Sequence, residues 1–420
     1  MAQTYVYIYL SEGPVPVGIL EMQGEGRVAT ARFQYGRRYL ERDDALALDP
    51  VQLPLHDATE TRPYIAPEGF ALFNGIRDAA PDGWGRHLMD RAAGARPLTE
   101  FDYLVATGDD RVGALAFGPD LTGPQRVAPW NNKDVSLDGE TLDLTEMLEA
   151  VRELDSADEL PPEHRRFLAR GSSLGGARPK ASTEYNGKMW IAKFGRNDDR
   201  RPMCREEYAT MMLAKRIGLN VPEVRLEKVL GQDVYLIERF DRSHGQNGVQ
   251  RTPFICGLTI IGAHEAEFSR YSYRNLADQL RVFGSSPRED AKELWQRMVF
   301  NILCNNTDDH LRNHGFLWDG KGWRLSPAYD VVPFPQVATE RDLAIGVGTE
   351  GRKATLKNAL SDAESFGLSK NEAANLATTI RNKVKTEWEK TFRVSSIATA
   401  DIERLRSCFI ACDEKIDTFD

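Results

Sequence analysis

The sequence predicts an α+β chain in three parts: a small β-rich N-terminal domain, then a body of two lobes, the first β-rich and the second mostly helical. Three observations carry this. The 420 residues exceed what one hydrophobic core usually serves. Runs of β-branched and aromatic residues fill the first ~60 positions and recur at 188–194 and 234–240, while 287–305 and the tail from Lys370 carry helical periodicity. A polar, Pro- and Gly-bearing stretch from Pro119 to about Gly139 offers a boundary, so the parts are taken as 1–130, 131–241 and 242–420.

Composition is that of a globular chain, 41% hydrophobic and 28% charged. Its 63 acidic and 54 basic residues leave a net charge of −9, which argues against a chain that grips nucleic acid by itself. The five cysteines, Cys204, Cys256, Cys304, Cys408 and Cys412, are odd in number and scattered, as reduced thiols are. The N-terminus lacks a basic region before its apolar run, and no stretch approaches ~20 apolar residues. The chain therefore reads as cytoplasmic, with no membrane partner.

In order, residues 4–9 form a strand, Gly13-Pro14 and Gly24 to Gly26 mark turns, and 28–35 (VATARFQY) form another strand. Phe73 to Trp84 is a loop leading into a helix over 85–91, and Asp110 to Leu115 turns into a short strand. Leu142 to Leu154 has helical spacing and stops before Pro161-Pro162. The Gly-rich stretch 171–177 precedes the strand 188–194. Arg205 to Ile217 is a mostly buried helix closed by Gly218 with Pro222 beyond. The helix at 287–305 opens on Pro287, with Glu289 and Asp290 favouring its dipole.

Directly after that helix stands Thr307-Asp308-Asp309-His310-Leu311-Arg312-Asn313. Phosphoryl transfer asks a protein for a carboxylate to take a hydroxyl proton and for oxygen ligands to hold Mg²⁺ on the phosphates. Asp308 and Asn313 have the D-x-x-x-x-N spacing of a protein-kinase catalytic loop. Asp309 beside Asp308 leaves the identity of the base open on spacing alone. A tight hairpin, Gly315 to Leu325, then leads to Asp330, where a second Mg²⁺-binding Asp should be. By itself the loop reads equally well as a solvated turn. The upstream elements, arriving in kinase order, decide for the site.

Strand 188–194 puts Lys193 on one face with Met189 and Ile191, costly unless its ammonium meets an anion such as an ATP phosphate or a helix carboxylate. That carboxylate is Glu207 or its neighbour Glu206. Glu207 is preferred for its face shared with Met211 and Ala214. Strand 234–240 ends where a kinase links its lobes, so backbone groups of Glu238, Arg239 and Phe240 are candidates for the adenine. In the Gly-rich loop Gly175, Gly176, Ala177 and Lys180 are candidates for the phosphates, since glycines let backbone N–H groups approach an anion.

These pieces together resemble the HipA-type serine/threonine kinases, toxins of bacterial toxin–antitoxin pairs. The likeness rests on Ser173 to Lys180, Ile191 to Lys193, Glu207-Tyr208, Ile217 to Pro222, Glu238 to Arg242, Thr307 to Asn313 and Pro327 to Asp330. It extends to the N-terminal domain through Ala80-Pro81-Asp82-Gly83 and Val112-Gly113-Ala114-Leu115. The resemblance implies a two-lobed protein-kinase-like fold using ATP and Mg²⁺, with Asp308 as catalytic base, His310 bracing the loop, and Asn313 and Asp330 as metal ligands. It implies autophosphorylation of Ser173, with Ser172 the alternative, which ejects the phosphate loop and silences the enzyme. Family substrates include aminoacyl-tRNA synthetases, whose phosphorylation induces dormancy and persistence. The partner implied is a helix-turn-helix antitoxin, through which alone DNA would be reached. The loop departs from the family's common Gly-Ala-Gln-Glu-Lys, leaving Arg178 and Pro179 without an assigned role. Two competing readings are a catalytically silent kinase fold acting as corepressor, and a small-molecule kinase.

Overall fold

The computed structural model describes residues 2–24, 29–127, 143–156, 171, 175–245, 248–336 and 340–416. By compactness the chain forms two units, Met1–Asp198 with Lys228–Ile255, and Asp199–Glu227 with Cys256–Asp420. This division differs from a simple order of 1–130, 131–241 and 242–420. The N-terminal domain and most of the β-rich lobe form one unit, and the helix Met203–Ile217 joins the later helices. The stretch 128–142, around the expected first boundary, lies outside the described residues.

The first unit opens with a five-stranded sheet in the order β4-β3-β2-β1-β5. Its strands are β1 (Gln3–Leu10), β2 (Gly13–Gln23), β3 (Thr30–Tyr35), β4 (Tyr64–Ile65) and β5 (Leu115–Gly118). In β3 the alternation expected of a half-buried strand is plain, with Ala31, Phe33 and Tyr35 inward. Helix α1 (Gly83–Ala93) starts two residues earlier than its apolar spacing suggests, directly after Pro81-Asp82.

A second sheet holds β6 (Lys180–Tyr185), β7 (Lys188–Phe194), β8 (Val224–Val229, in which the chain passes back into this unit) and β9 (Gln232–Glu238), in the order β6-β7-β9-β8. The β6–β7 turn is Asn186-Gly187, both at positive φ, the pair that matches the twist of a two-residue hairpin. Strand β9 begins and ends two residues before the expected 234–240, because Leu230-Gly231 turn the chain sharply just ahead of it. One face of this sheet (Ala181, Trp190, Ala192, Phe194, Val234, Leu236) packs on Trp84 and Leu88 of α1 and on Met147, Leu148, Val151 and Leu154 of α2 (Leu144–Ser156). The N-terminal domain and the second sheet thus share one hydrophobic core.

The second unit is helical around α5 (Pro287–Cys304), whose Leu294, Trp295, Met298, Val299, Ile302 and Leu303 are fully buried. With it are α3 (Met203–Ile217, capped by Gly218 at φ 103°), α4 (Tyr273–Phe283) and α6 (Lys370–Val394). Ser272 with Asn275 and Ser369 with Glu372 form capping boxes that start α4 and α6. The hairpin β12 (Gly315–Trp318) and β13 (Trp323–Leu325) falls where expected, after the two-stranded ribbon β10 (Arg242–Gly245) and β11 (Gly248–Arg251) of the first unit. Asp290 does more than favour the α5 dipole: it pairs with Arg324 at 2.8 Å and accepts the Leu325 N–H at 3.1 Å, tying helix to hairpin. All five cysteines are buried and free. Among the described residues no helix is long and apolar enough to cross a membrane.

Candidate active site

In the second unit the site grows out of the end of α5. Asn305, at φ 53°, closes the helix in the left-handed conformation that Asn tolerates, and the chain turns into the loop 306–313. The loop is held by its own bonds: the Asp308 carbonyl accepts the His310 N–H at 2.8 Å and the Asn313 Nδ2 at 3.0 Å. Donating through Nδ2 points the Asn313 Oδ1, the atom a cation would use, to the other side of the amide. Arg312 braces the loop from outside through both oxygens of Glu265, at 3.1 and 3.0 Å. The His310 ring lies edge-on to Phe268 at 6.4 Å.

The two adjacent carboxylates meet opposite fates. Asp309 is buried, and its Oδ2 accepts from the Tyr273 hydroxyl, from Asn301 Nδ2 at 2.6 Å, and lies 3.1 Å from His314 Nε2. Burial alone would raise its carboxyl, but the His314 imidazole, the Tyr273 hydroxyl and His310 outweigh it and hold it below the usual range. Asp308 is exposed. Its carboxyl is raised, first by partial desolvation and then by the neighbouring charges of Asp330 and Asp309, with His310 acting the other way.

Asp330 arrives on a segment fixed at both ends to the same loop. The Tyr329 hydroxyl donates to the Arg312 carbonyl at 2.7 Å, and the Phe334 N–H donates to the Asn305 carbonyl at 3.0 Å. Asp330 itself sits at φ 60°, an uncommon conformation for a residue with a side chain. Such a backbone persists only where its surroundings impose it, often at functional sites. Among the described residues no group of three or more His, Cys, Asp or Glu side chains forms a metal cage. Mg²⁺ on a nucleotide takes one or two carboxylates and fills its remaining positions with phosphate oxygens and water. Asp330, the Asn313 amide and the exposed Asp308 carboxyl fit such an ion.

Also in this unit, Glu206 is fully buried and held by Arg201 and, at 2.7 Å, by Arg404, so it is spent inside the fold. Glu207 beside it is also buried, with 5% of its surface exposed.

In the first unit, Lys180 and Lys193 stand directly opposite each other across β6 and β7, both buried, on the face away from the shared core. Like charges placed so are destabilising without an anion to answer them. Lys193 also lies 5.8 Å from the centre of the Tyr235 ring. Of the Gly-rich loop, Gly175, Gly176 and Ala177 are described. Gly176, at φ 92°, holds a conformation that favours glycine, and a Cβ there would displace the Lys180 ammonium, 2.3 Å away. Leu174 and both serines, Ser172 and Ser173, lie outside the described residues.

The segment 238–240 is partly engaged within the fold. The Arg239 N–H is donated to the Met189 carbonyl at 2.9 Å, and its guanidinium is buried in an ion network, so neither reaches an adenine. The Glu238 side chain pairs with Lys188 at 2.9 Å, and the Phe240 ring packs on Phe254. Only backbone atoms of Glu238 and Phe240 and the Arg239 carbonyl stay as candidates. Sequence reasoning missed Tyr273, Asn301 and His314. The one local signal was Asn301, a polar residue in the apolar run Met298–Cys304.

Comparison with known proteins adds to the geometry. Residues 6–118 match the model of the HipA N-terminal domain, and residues 172–388 match that of the HipA-like C-terminal domain. The chain is similar to the serine/threonine-protein kinase toxin HipA of Shewanella oneidensis, 24% identical over 298 residues (64% of this chain, 65% of that one). It is also similar to the protein Y4dM of Sinorhizobium fredii, 25% identical over 417 residues, covering 94% of this chain and 89% of that one. Among solved structures, the Shewanella oneidensis toxin–antitoxin complex of HipA, HipB and operator DNA contains a similar fold, with a TM-score of 0.68 at 18% identity, covering 98% of this chain and 96% of that one.

Proposed function

Because this chain belongs to the HipA family, in both its N-terminal and its C-terminal domains, we propose that it is a Mg²⁺-dependent serine/threonine protein kinase that moves the γ-phosphoryl group of ATP to a protein hydroxyl. The observation that carries the reading is the split between adjacent carboxylates: Asp309 is locked inside, while Asp308 stays exposed, raised by partial desolvation and by Asp330 and flanked by Asn313.

In this reading Asp308 takes the proton of the attacking hydroxyl, and a carboxyl raised from its ordinary value is the better base near neutral pH. Asn313 Oδ1 and the Asp330 carboxylate hold Mg²⁺, which when bound offsets charge on the phosphate oxygens. His310 braces the loop. In the first unit Lys193 and Lys180, with the N–H groups of Gly175, Gly176 and Ala177, answer the phosphates. Backbone groups at Glu238 and Phe240 serve the adenine.

The proposal includes growth arrest as a toxin, autophosphorylation on Ser173 or Ser172, and a helix-turn-helix partner of the HipB kind through which DNA is reached. An aminoacyl-tRNA synthetase is the candidate substrate class. The similar complex that contains HipB and operator DNA supports the partner. Retention of Asp308, Asn313 and Asp330 together weighs against a silent corepressor. The test is label transfer from γ-labelled ATP with Mg²⁺. Wild type is expected to label itself on Ser173 or Ser172, and Asp308→Ala to bind ATP by calorimetry yet transfer nothing. Absence of both ATP binding and transfer in the wild type refutes the proposal.

A further inference from the structure

Two motifs of the N-terminal domain, Ala80 to Gly83 and Val112 to Leu115, take no part in the chemistry above, and their contacts give them a role. The first reaches the phosphate-facing loop. The Trp84 N–H donates to the Gly176 carbonyl at 3.0 Å, and a Cβ on Gly83 would stand 3.4 Å from Ala177 Cα. Asp82 Oδ2 lies 3.1 Å from where a Gly175 Cβ would be, and its Oδ1 is fixed by Arg77 at 2.6 Å.

The second motif reaches the segment assigned to the adenine. The Arg239 guanidinium donates to Asp110 Oδ1 at 2.6 Å, to the Arg111 carbonyl at 3.0 Å, to Ser182 Oγ at 2.9 Å and to Asp241. The Gly113 N–H returns to Asp241 Oδ2 at 2.8 Å, and Arg242 grips the Gly113 and Arg111 carbonyls at 2.9 and 2.6 Å. Gly113 is at φ 76° with Phe254 3.1 Å from a Cβ there, so only glycine fits.

Arg111 joins the two motifs. Its backbone carbonyl receives Arg239, while its buried side chain donates to the carbonyls of Ala79, Leu104 and Thr107, each at 3.0 Å, immediately before Ala80. Trp84 and Leu88 bury into the same core as β7 and β9.

We propose that the N-terminal domain is a fixed part of the nucleotide site, holding the phosphate-facing loop and the adenine-facing segment in register, with Arg111 as the positioning residue that connects the two holds. The inference rests on the kinase reading. Its test uses the full chain with Arg111→Met, which removes the link without touching either nucleotide-facing segment. The KM for ATP, and the Kd of a non-hydrolysable ATP analogue by calorimetry, should rise about tenfold, with kcat at saturating ATP held within about twofold. In wild type the analogue should slow amide hydrogen exchange at 82–86 and 110–114. If Arg111→Met fails to fold, Asp110→Asn carries the same comparison. Unchanged KM and Kd, a fall in kcat alone, or exchange at 82–86 and 110–114 indifferent to the analogue each overturn the inference while leaving the kinase reading intact. A wild type that binds no nucleotide overturns both.

Discussion

Exchanging each carboxylate of the Asp308-Asp309 pair for its amide separates chemistry from architecture. In Asp309→Asn the amide oxygen can take the place of Oδ2, but it brings no full charge to the three groups gathered there. Tyr273 and Asn301 donate to Oδ2, and His314 Nε2 stands 3.1 Å from it, all buried. A hydrogen bond to a charged group contributes ~1.5–3 kcal/mol and one between neutral groups ~0.5–1.5 kcal/mol. Two or three bonds weakened by that difference come to about 2–4 kcal/mol, placed under the loop 306–313. Amide exchange in the last turns of α5, residues 298–303, should then accelerate roughly 30- to 1,000-fold. Asp308→Asn removes an exposed charge beside Asp330 and should move the same amides by less than about 0.5 kcal/mol, while phosphate transfer falls ~10²–10⁴-fold. An Asp309→Asn protein with wild-type exchange, or an Asp308→Asn protein with full transfer, would refute the assignment of roles.

Further outcomes are expected elsewhere. Burial pushes Asp49 up to about 6, against the opposing N–H groups of Gln52, Val51 and Gly75. Because its folded value lies above the unfolded one, its linked stability is fully present below about pH 4 and is lost as pH rises through 6, by about 3 kcal/mol at most. Melting temperatures of Asp49→Asn should therefore gain on wild type between pH 4 and 7, and a gap independent of pH counts against this. Mg-ATP at about 100 times its Kd should stabilise wild type by ~2.7 kcal/mol, and Lys193→Met should show no such rise at the same concentration. Glu206→Gln leaves Arg201 and Arg404 around a neutral group and should cost about 3–5 kcal/mol in unfolding experiments. The same change at Glu207 should show first in transfer rate, and a reversed order would exchange their roles.

Much of the fold was legible because local chemistry agreed with the final packing. Strand β7 has the limits its alternation predicts, and α5 is announced by Pro287 and closed by Asn305. The hairpin after Asn313 is visible in Asp319-Gly320-Lys321-Gly322, where the Asp319 carboxylate accepts the Lys321 and Gly322 N–H groups at 2.9 and 3.0 Å. What spacing could not decide was which of two neighbours faces inward. Glu206 and Glu207 share helix α3 with apolar residues on both sides, and the arginine that settles Glu206 lies 198 residues away. Asp308 and Asp309 are told apart by Tyr273, 36 residues upstream, by Asn301 and by the histidine after Asn313. Tyr273 and Arg404 are too distant in sequence to leave a local mark, and Asn301 left only a faint one.

The same reasoning bears on the ion network at Arg239. Directly after strand β9, Arg239-Phe240-Asp241-Arg242 sets two arginines around an aspartate. In the fold the guanidinium is 1% exposed and is matched by Asp110 and Asp241, with its remaining hydrogens on Ser182 and a carbonyl. Breaking one partner of such a pair leaves an uncompensated buried charge. Asp241, though buried, is held far below the usual carboxylate range, above all by Arg239 and then by Arg242. Its contribution is present at neutral pH and fades only as pH falls below the ordinary range of an aspartate. A segment fixed this way cannot adjust its backbone to suit a ligand. Its conformation is set in the free protein, in part by Asp110, Arg111 and Gly113 of the N-terminal domain.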